Sequence, residues 1–456
     1  MSYPLPEIIE KNIFTLRYHN TKKNLFVTGV GGTGKSYLLK QIYEKTQKEG
    51  INCALCSTTG ISAYQISGIT INSYMLFNVG KFNKRYILTI LIPHLLKKYP
   101  DYSTKLKGLE LLVIDEISML GGLYFEMIDL VFKTVRENTK PFGGVQLLFS
   151  GDMSQLSPVK DVYPFLSEVW DQCNFVNCLL TQPKRFKDKI FSDLLRRIRI
   201  GKMTEEDNKI LYSRYLAYKE LEDTSLFTVI LPKKEDVQKI NDKCLDEIEG
   251  KILKYNSTDN IKIKKKNLII NENIIKDIKK EDNNGLNLEK YFMAPRTFIF
   301  KKSAKVLLIK NLNVELGLVN GCRGMITDII YGDDKNIEGI EINFELDRKE
   351  YPLGYTMIIN PIEFTYEDDE YLLKRIQFPL ILSFSVTVHR CQGLTLEGVI
   401  TDIGDNIFCA GQAYVALSRC RSLETLYLSS YNKSRITTDY DVKQFEEKLL
   451  KNSVSI

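Results

Sequence analysis

The octapeptide GVGGTGKS at residues 29–36 constrains this chain more than any other feature. It follows the apolar run LFVTGV (25–30) and precedes SYLLKQIYEKTQKEG (36–50), whose apolar residues recur at helical spacing. The octapeptide fits G-x-x-x-x-G-K-[ST] in the strand–loop–helix setting that this pattern requires, so a chance glycine-rich turn is a poor alternative. In such loops backbone N–H groups face phosphate oxygens. The sequence therefore predicts a parallel α/β domain that binds the phosphates of a nucleotide.

Every residue of this loop is a predicted nucleotide contact. Lys35 would place its ammonium on the β- and γ-phosphates, and Ser36 would hold Mg²⁺. The predicted contacts are Gly29, Val30, Gly31, Gly32, Thr33, Gly34, Lys35 and Ser36.

Two further apolar runs lead to polar residues that suit phosphoryl transfer. LELLVIDE (109–116) ends in Asp115, predicted to bind Mg²⁺, and Glu116, predicted to orient and deprotonate the attacking water. VQLLFSGD (145–152) leads to Gln155, whose neutral amide suits a sensor of the γ-phosphate. A helix N-cap at a strand end is the alternative for the acidic pair. Strands that alternate with helices indicate a doubly wound sheet with its chemistry at the carboxyl ends of the strands.

Two arginines outside the first lobe are candidates for stabilising the transferred phosphoryl group. They are Arg185 in LLTQPKRF and Arg419 in QAYVALSRC, and both belong to a second unit that begins near residue 181. Phosphoryl transfer gains from arginine supplied across an interface, although a surface salt bridge is the ordinary alternative for any one arginine. A nucleotide held between two lobes would let hydrolysis open and close the cleft.

Changes of composition predict the remaining organisation. FSDLLRRIRIG (191–201) is predicted helical, and SLFTVILPKKEDVQKIN (225–241) is predicted to be a strand followed by a helix. Lys, Asn and Ile fill 26 of the 40 positions at 251–290, which predicts a solvated loop or a poorly ordered insertion. Short strands from about 295 predict a small inserted β-barrel, and FPLILSFSVTV (378–388) predicts a return to parallel sheet. The predicted domains are 1–180, 181–294, 295–375 and 376–456.

Five longer segments carry a more specific signal: LLVIDEISML, PFGGVQLLFSGDMSQLSPV, KNLNVELGLVNGCRG, FSVTVHRCQGLTLEGV and GQAYVALSRC. They resemble the helicase motifs of superfamily 1B, most closely those of the petite-integration-frequency helicases, which are relatives of RecD. The similarity runs in the same order along the chain, from about residue 24 to 430.

The resemblance implies an α/β fold of two tandem RecA-like domains with ATP between them, and a β-barrel of the Src-homology-three type inserted in the second. It implies ATP-driven 5′→3′ travel on single-stranded DNA and the unwinding of duplex or forked DNA, in replication, recombination or repair. It assigns ATP and Mg²⁺ roles to the residues named above and adds Gln392 and Gly393 of HRCQG as a coupling motif. The implied catalytic set is Lys35, Glu116, Gln155, Arg185 and Arg419.

DNA contacts follow from the same resemblance. STTGISA (57–63), GITINS (68–73) and HRCQGLT (389–395) are expected to line the strand channel, where N–H groups and small hydroxyls grip phosphates without selecting bases. Tyr74, Phe77 and His389 are candidates for stacking on bases, with core packing as the alternative, favoured for Phe77. The predicted phosphate contacts are Ser57, Thr58, Thr59, Gly60, Thr70, Ser73, His389 and Thr395.

The chain departs from the family pattern at a few positions. Residues 1–28 contain no Gln to recognise adenine, which leaves strict preference for ATP open. Asn72 stands where the family has His, Arg390 and Cys391 where it has Lys-Ser, and Phe186 where it has Gln.

Composition narrows the class of protein. A net charge of +6 permits a polyanionic partner without demanding one. The nine scattered cysteines do not suggest a disulfide framework, and Cys53 and Cys56 are expected to be buried free thiols. No signal peptide and no apolar stretch near the ~20 residues of a membrane span is present, so we expect a soluble intracellular protein. Nucleus, mitochondrion, cytoplasm and a viral replication site all stay open.

Two other functions use the same residues. A translocase that remodels nucleoprotein without unwinding would carry the same motor, and a non-catalytic DNA-binding subunit would carry a decayed one. RNA or an RNA–DNA hybrid stays possible, because phosphate contacts do not exclude a 2′-hydroxyl. The oligomeric state is open, and a monomer is plausible.

Overall fold

The computed structural model describes residues 5–17, 19, 22–77, 84–158, 161–182, 184, 186, 188–224, 227–263, 292–313, 315–346, 351, 353–367 and 371–456. The chain forms two compact units, one made of residues 1–234 and 386–456 and the other of residues 235–385.

The first unit contains a seven-stranded sheet in which every neighbouring pair is parallel. Its central strands are apolar runs buried on both faces, as parallel sheets covered by helices require. The strands predicted at 25–30, 52–57, 109–116 and 145–152 are confirmed. In spatial order the strands are Ser453–Ser455, Val176–Leu180, Leu25–Gly29, Gln146–Gly151, Leu111–Asp115, Cys53–Ser57 and Ile69–Thr70.

Alternate residues of these strands supply two cores, one on each face of the sheet. Phe26 points into an aromatic core where its ring meets Trp170 at 5.2 Å between centroids. Leu25 and Val27 point into the opposite core, against Leu39. Because the sheet is sandwiched in this way, the loops at the carboxyl ends of its strands rest on a rigid base.

Helices connect and cover these strands, and the helix predicted at 36–50 is confirmed. A π-helical turn, Glu10–Thr15, follows the first short helix, and another, Ile87–Leu91, precedes Ile92–Lys98. The 3₁₀ turns are Ile117–Met119, Pro141–Gly144 and Pro164–Leu166. The α-helices are Glu7–Ile9, Lys35–Lys48, Gly60–Gln65, Ile71–Met75, Lys84–Tyr86, Ile92–Lys98, Tyr102–Lys107, Gly122–Val135 and Glu168–Gln172.

A second sheet has the spatial order Ser385–Thr387, Thr228–Leu231, Val399–Ile403 and Leu426–Tyr431. Its last three strands are mutually parallel, which confirms the predicted second α/β lobe. The chain then crosses back, because strand Ser453–Ser455 pairs with Asn177–Leu179 of the first sheet. The associated helical segments are Lys189–Arg199, Glu205–Lys219, Lys234–Glu247, Gln412–Leu417, the 3₁₀ turn Lys433–Arg435 and Tyr440–Lys451.

The other compact unit is antiparallel. Its largest sheet has the order Tyr355–Ile359, Ile337–Phe344, Arg323–Tyr331, Lys305–Leu308 and Leu380–Leu382. Thr297–Phe300 pairs with Leu253–Asn256, and Tyr371–Gln377 lies between Ile362–Glu367 and Thr258–Ile263. The short strands predicted from 295 are confirmed, whereas closure into a barrel of the Src-homology-three type stays a prediction.

Two predictions about this unit need correction. Residues 253–256 and 258–263 of the supposed loop are strands, because backbone pairing tolerates Lys and Asn where alternate residues face solvent; residues 264–291 lie outside the described part of the chain. Within residues 378–388, the strand that joins the sheet of the second α/β lobe is Ser385–Thr387. Leu380–Leu382 pairs antiparallel with Lys305–Leu308, because a short apolar run does not encode strand direction.

No helix within the described residues is long and apolar enough to cross a membrane.

Candidate nucleotide and nucleic-acid site

The glycine-rich loop follows strand Leu25–Gly29, an inner strand of the first sheet. Gly34 has φ +95°, a left-handed conformation that favours glycine, and it immediately precedes helix Lys35–Lys48. A Cβ atom on Gly29 would lie 2.6 Å from the carbonyl oxygen of Leu180, so the neighbouring strand leaves no room for a side chain. The loop therefore has the tight curl that turns backbone N–H groups towards phosphate.

Lys35 lies inside this loop with 8% of its surface exposed. Its Nζ atom donates to the carbonyl oxygens of Gly29 at 2.8 Å and Val30 at 3.3 Å. Burial lowers the pKa of Lys35, although the nearby carboxylate of Asp152 opposes this effect. An ammonium with so little solvation gains strongly from anionic phosphate oxygens.

Ser36 and Asp115 meet at the end of strand Leu111–Asp115. The Ser36 hydroxyl donates to Asp115 Oδ2 at 2.7 Å, and burial raises the pKa of Asp115. These two oxygen donors fit Mg²⁺, which takes hard oxygen ligands from a few protein groups and from phosphate. No group of three or more His, Cys, Asp or Glu side chains suited to a metal occurs in the described ranges, so the phosphates would have to complete the coordination.

Several buried polar atoms of the predicted site residues lack a hydrogen-bond partner. They include Oε2 of Glu116, Oε1 of Gln155, and both Oε1 and Nε2 of Gln392. Burial, and after it the neighbouring Asp115, raise the pKa of Glu116. Because unpaired buried polar atoms are costly, these side chains are suited to bind a polar ligand.

Arg419 reaches the same pocket from helix Gln412–Leu417 of the second sheet. Its guanidinium donates to the carbonyl oxygens of Val415 and Leu394 and to Ser418 Oγ. A Cβ atom on Gly31 would lie 3.7 Å from Nη2 of Arg419. The loop and this arginine, far apart in sequence, are therefore close in space. Arg185 lies outside the described residues.

Sequence analysis missed a buried charge cluster behind the pocket. Arg199 donates to Asp152 Oδ1 at 2.9 Å and to both oxygens of Glu446, at 2.6 and 2.9 Å. All three residues are at most 3% exposed. Burial by itself would raise the pKa of Asp152, but the charges of Arg199 and Lys35 outweigh it and lower that pKa.

Tyr414 joins this cluster to the glycine-rich loop. Its hydroxyl donates to Asp152 Oδ2 at 2.7 Å and accepts from the Gly31 N–H at 3.1 Å. Asp152 also accepts from the backbone of Ser154, next to Gln155. Asp152 and Tyr414 lie within segments that sequence analysis had singled out, whereas nothing local distinguishes Arg199 from Arg196 and Arg197.

The first predicted DNA-contact loop, residues 57–63, contacts the backbone of the acidic pair Asp115 and Glu116. Ser57 is fully buried and its hydroxyl donates to the carbonyl oxygen of Asp115, so, unlike the prediction, it does not present that hydroxyl to solvent. Thr58 Oγ1 donates to the carbonyl oxygen of Glu116 at 3.0 Å. Thr59 caps helix Gly60–Gln65. Thr58, Thr59 and Gly60 are partly exposed.

The second predicted loop is more open. Thr70 is partly exposed and caps helix Ile71–Met75, and Ser73 is exposed, with its hydroxyl 2.8 Å from that of Thr70. Tyr74 and Phe77 are at most 7% exposed and belong to the aromatic core, which confirms the packing alternative for both.

The HRCQG turn of the second lobe meets the first of these loops. Gly393 has φ +84°, and its carbonyl oxygen accepts from Gln65 Nε2 at 3.2 Å. His389 and Thr395 are partly exposed, and burial lowers the pKa of His389. Residues predicted to touch DNA are thus brought together from both lobes.

Cys53 and Cys56 are free thiols. Cys56 is fully buried and Cys53 partly exposed, and burial raises the pKa of Cys53 to about 12. Both are therefore protonated at neutral pH.

Comparison with known proteins identifies the family. The profile of the PIF1-like helicases matches residues 7–209, and that of the DNA helicase Pif1 2B domain matches residues 285–329. The ATP-dependent DNA helicase Pif1 of Campylobacter jejuni is 30% identical over 427 residues, which cover 90% of this chain and 89% of the relative. Against the ATP-dependent DNA helicase PIF1 of Xenopus laevis, 30% identical, the chain spans 62% of the relative's length.

Solved structures agree. The Pif1 helicase of Candida albicans superimposes with a TM-score of 0.78 at 30% identity, covering 98% of this chain and 100% of that one. The Pif1 helicase of Bacteroides in complex with ADP-AlF3 and ssDNA gives 0.72 at 25% identity, with 99% and 98% covered. The two parallel sheets are therefore tandem RecA-like domains, and the chain belongs to the PIF1-like helicase family.

Proposed function

We propose that this chain is an ATP-dependent DNA helicase that moves 5′→3′ along single-stranded DNA and unwinds duplex DNA. One observation carries the proposal: the glycine-rich loop of the first RecA-like domain lies against Arg419 of the second. A Cβ atom added to Gly31 would be only 3.7 Å from Nη2 of Arg419. Cleavage of a nucleotide at that seam changes the contacts between the two lobes, and such opening and closing drives directional movement.

The residues divide the chemistry among them. Lys35 binds the β- and γ-phosphates, and Gln155 and Gln392 supply polar atoms that lack partners without a ligand. Glu116, whose pKa is raised by burial, takes the proton of the attacking water. Arg419 and Arg185 stabilise charge on the transferred group. Ser36 and Asp115 hold Mg²⁺, which neutralises phosphate charge when it is bound.

Single-stranded DNA is proposed to lie across the loops of both lobes. The hydroxyls of Thr59, Thr70, Ser73 and Thr395 and the backbone at Gly60 suit phosphate contacts, and His389 suits a base. The Bacteroides relative was solved in complex with ADP-AlF3 and ssDNA, which supports binding of a nucleotide and of single-stranded DNA by this chain. The Campylobacter jejuni relative is an ATP-dependent DNA helicase by name, which supports the proposed activity.

Strand displacement on forked DNA with either a 5′ or a 3′ single-stranded tail tests the proposal. With ATP and Mg²⁺ we expect unwinding only from the 5′ tail. Removal of a bound protein while the duplex stays intact would indicate a translocase instead. If the protein hydrolysed ATP no faster with single-stranded DNA than without it, the proposal that it is a DNA-dependent motor would be wrong.

A further inference from the structure

Glu116 has an unusual backbone. Its φ and ψ are +53° and +41°, in the left-handed region that residues with a side chain seldom adopt. Such conformations persist where neighbouring groups hold them, and they cluster at functional sites. Because Oε2 of Glu116 has no hydrogen-bond partner, the backbone has a large part in setting where this carboxylate points.

The neighbouring strand supplies a support for this conformation. Strand Cys53–Ser57 runs beside Leu111–Asp115, with Ser57 opposite Asp115. Immediately beyond it, Thr58 Oγ1 donates to the carbonyl oxygen of Glu116 at 3.0 Å, and the Thr58 N–H donates to the carbonyl oxygen of Asp115 at 3.4 Å. Thr58 is thus bonded through its side chain to the backbone of the proposed base.

The same loop faces the other lobe. Thr59 caps helix Gly60–Gln65, and Gln65 of that helix donates to the carbonyl oxygen of Gly393. A Cβ atom on Gly393 would lie 3.0 Å from Ser62 Oγ, so the HRCQG turn packs closely on the helix. A single strand of DNA that binds these segments would press on the loop at residues 57–63, whose first residues contact Asp115 and Glu116.

We propose that Thr58 is a positioning residue that transmits the binding of single-stranded DNA to Glu116, rather than a phosphate contact. The inference rests on the proposed function and specifies how nucleic acid regulates hydrolysis. When the loop shifts on binding, the hydroxyl-to-carbonyl bond moves the backbone of Glu116, and the carboxylate aligns with the attacking water. The coupling requires the hydroxyl and not the rest of the side chain.

The test measures steady-state ATP hydrolysis with and without saturating oligo-dT, and oligo-dT affinity by fluorescence anisotropy. In Thr58→Val we expect the ratio of stimulated to basal rate to fall about tenfold, the effect of losing about 1.4 kcal/mol of transition-state stabilisation. DNA affinity should stay within about twofold of the parent's. Thr58→Ser keeps the hydroxyl and should restore the ratio.

Thr134→Val is the matched control. It removes a threonine hydroxyl that donates to the carbonyl oxygen of Leu130 at 2.8 Å, on the exposed side of helix Gly122–Val135, and should leave both rates at the parent level. A purely structural role of Thr58 would lower both rates equally and keep their ratio, which would overturn the inference. If Thr58→Val does not fold, as judged by circular dichroism, Thr58→Ala takes its place in the same measurement.

Two outcomes separate this inference from the proposed function. If the parent is stimulated by DNA and Thr58→Val only raises the DNA concentration needed for half-maximal rate, Thr58 grips the strand and the coupling role is wrong. If DNA does not stimulate the parent at all, the proposed function itself fails.

Discussion

Two buried arginines, one in each compact unit, share their chemistry but not their surroundings. Arg199 in the first unit binds both oxygens of Glu446 and also Asp152. Arg375 in the second binds both oxygens of Asp259, through Nε and Nη2 at 2.8 Å, and the carbonyl oxygen of Ala294. Both arginines are at most 3% exposed.

What differs is what their partners touch. Asp152 continues through the Tyr414 hydroxyl to the Gly31 N–H, in the glycine-rich loop. Asp259 pairs with Arg375 across two neighbouring strands of a small sheet, where Phe292 covers the guanidinium at 5.0 Å. Burial of a charged pair therefore does not mark function by itself; its connection to a ligand-binding loop does.

The largest expected effect lies in the pocket itself. Lys35→Ala should lower ATP hydrolysis on the order of a thousandfold, about 4 kcal/mol of transition-state stabilisation, because the variant lacks the ammonium that lies inside the loop, against the carbonyl oxygens of Gly29 and Val30. Steady-state hydrolysis with single-stranded DNA measures the loss, with Lys48→Ala, an exposed lysine of the same helix, as control. A variant that retained a tenth of the parent rate would contradict this role.

Arg199→Met should come next. It leaves Asp152 and Glu446 buried without their shared cation, which costs about 3 kcal/mol of unfolding free energy and disturbs the loop through Tyr414. Urea unfolding gives the first quantity and hydrolysis by the folded protein gives the second. The double variant Arg199→Met/Glu446→Gln should recover part of the stability, because one carboxylate is removed. Hydrolysis at the parent rate in folded Arg199→Met would break the distinction between the two clusters.

Arg375→Met should cost less, about 2 kcal/mol, because Asp259 retains 19% exposure of its side chain and can be rehydrated. Hydrolysis per folded molecule should stay unchanged, in contrast to Arg199→Met. Although burial opposes it, the hydrogen bond and charge of Arg375 lower the pKa of Asp259. The pair therefore stabilises the fold above the ordinary aspartate pKa of about 3.9 and loses that contribution as pH falls through the lower folded pKa.

Urea titrations at a series of pH values from neutral down into this acid range measure the unfolding free energy. It should fall with pH in the parent and fall less steeply in Arg375→Met. Equal slopes in the two proteins would mean that Asp259 gains nothing from the arginine.

Tyr414→Phe should have the smallest effect. Burial and the charge of Asp152 raise the pKa of Tyr414 well above its ordinary value, so the hydroxyl remains a donor at neutral pH. Removing it leaves the Gly31 N–H and one oxygen of Asp152 without this partner, at a cost of about 1 kcal/mol. We expect hydrolysis to fall about fivefold with unchanged pH dependence between pH 6 and 9. A pH–rate profile that differed from the parent's would point to titration of the hydroxyl and contradict this assignment.

Those parts of the site that rest on residues adjacent in the chain could be predicted without the fold. The glycine-rich loop needs only the pattern around Gly34 and Lys35, and the acidic pair needs only an apolar strand that ends at Asp115. Burial on both faces of a parallel sheet leaves a continuous apolar run, which is legible without any partner. Arg419 was a candidate from the residues themselves, the family resemblance agreed, and the structure has this arginine beside the loop.

Other features depend on partners that are distant in the chain, and these became visible only in the folded protein. Arg199 meets Glu446 across 247 positions, and Gly31 meets Tyr414 across 383. Ser57 is buried against Asp115 because two strands lie side by side, and Leu380–Leu382 turned out antiparallel because of the strand it meets. The physical reason is common to all of them: a hydrogen bond or ion pair is fixed by where its partner lies in space, and the residues adjacent in the chain carry no record of that partner.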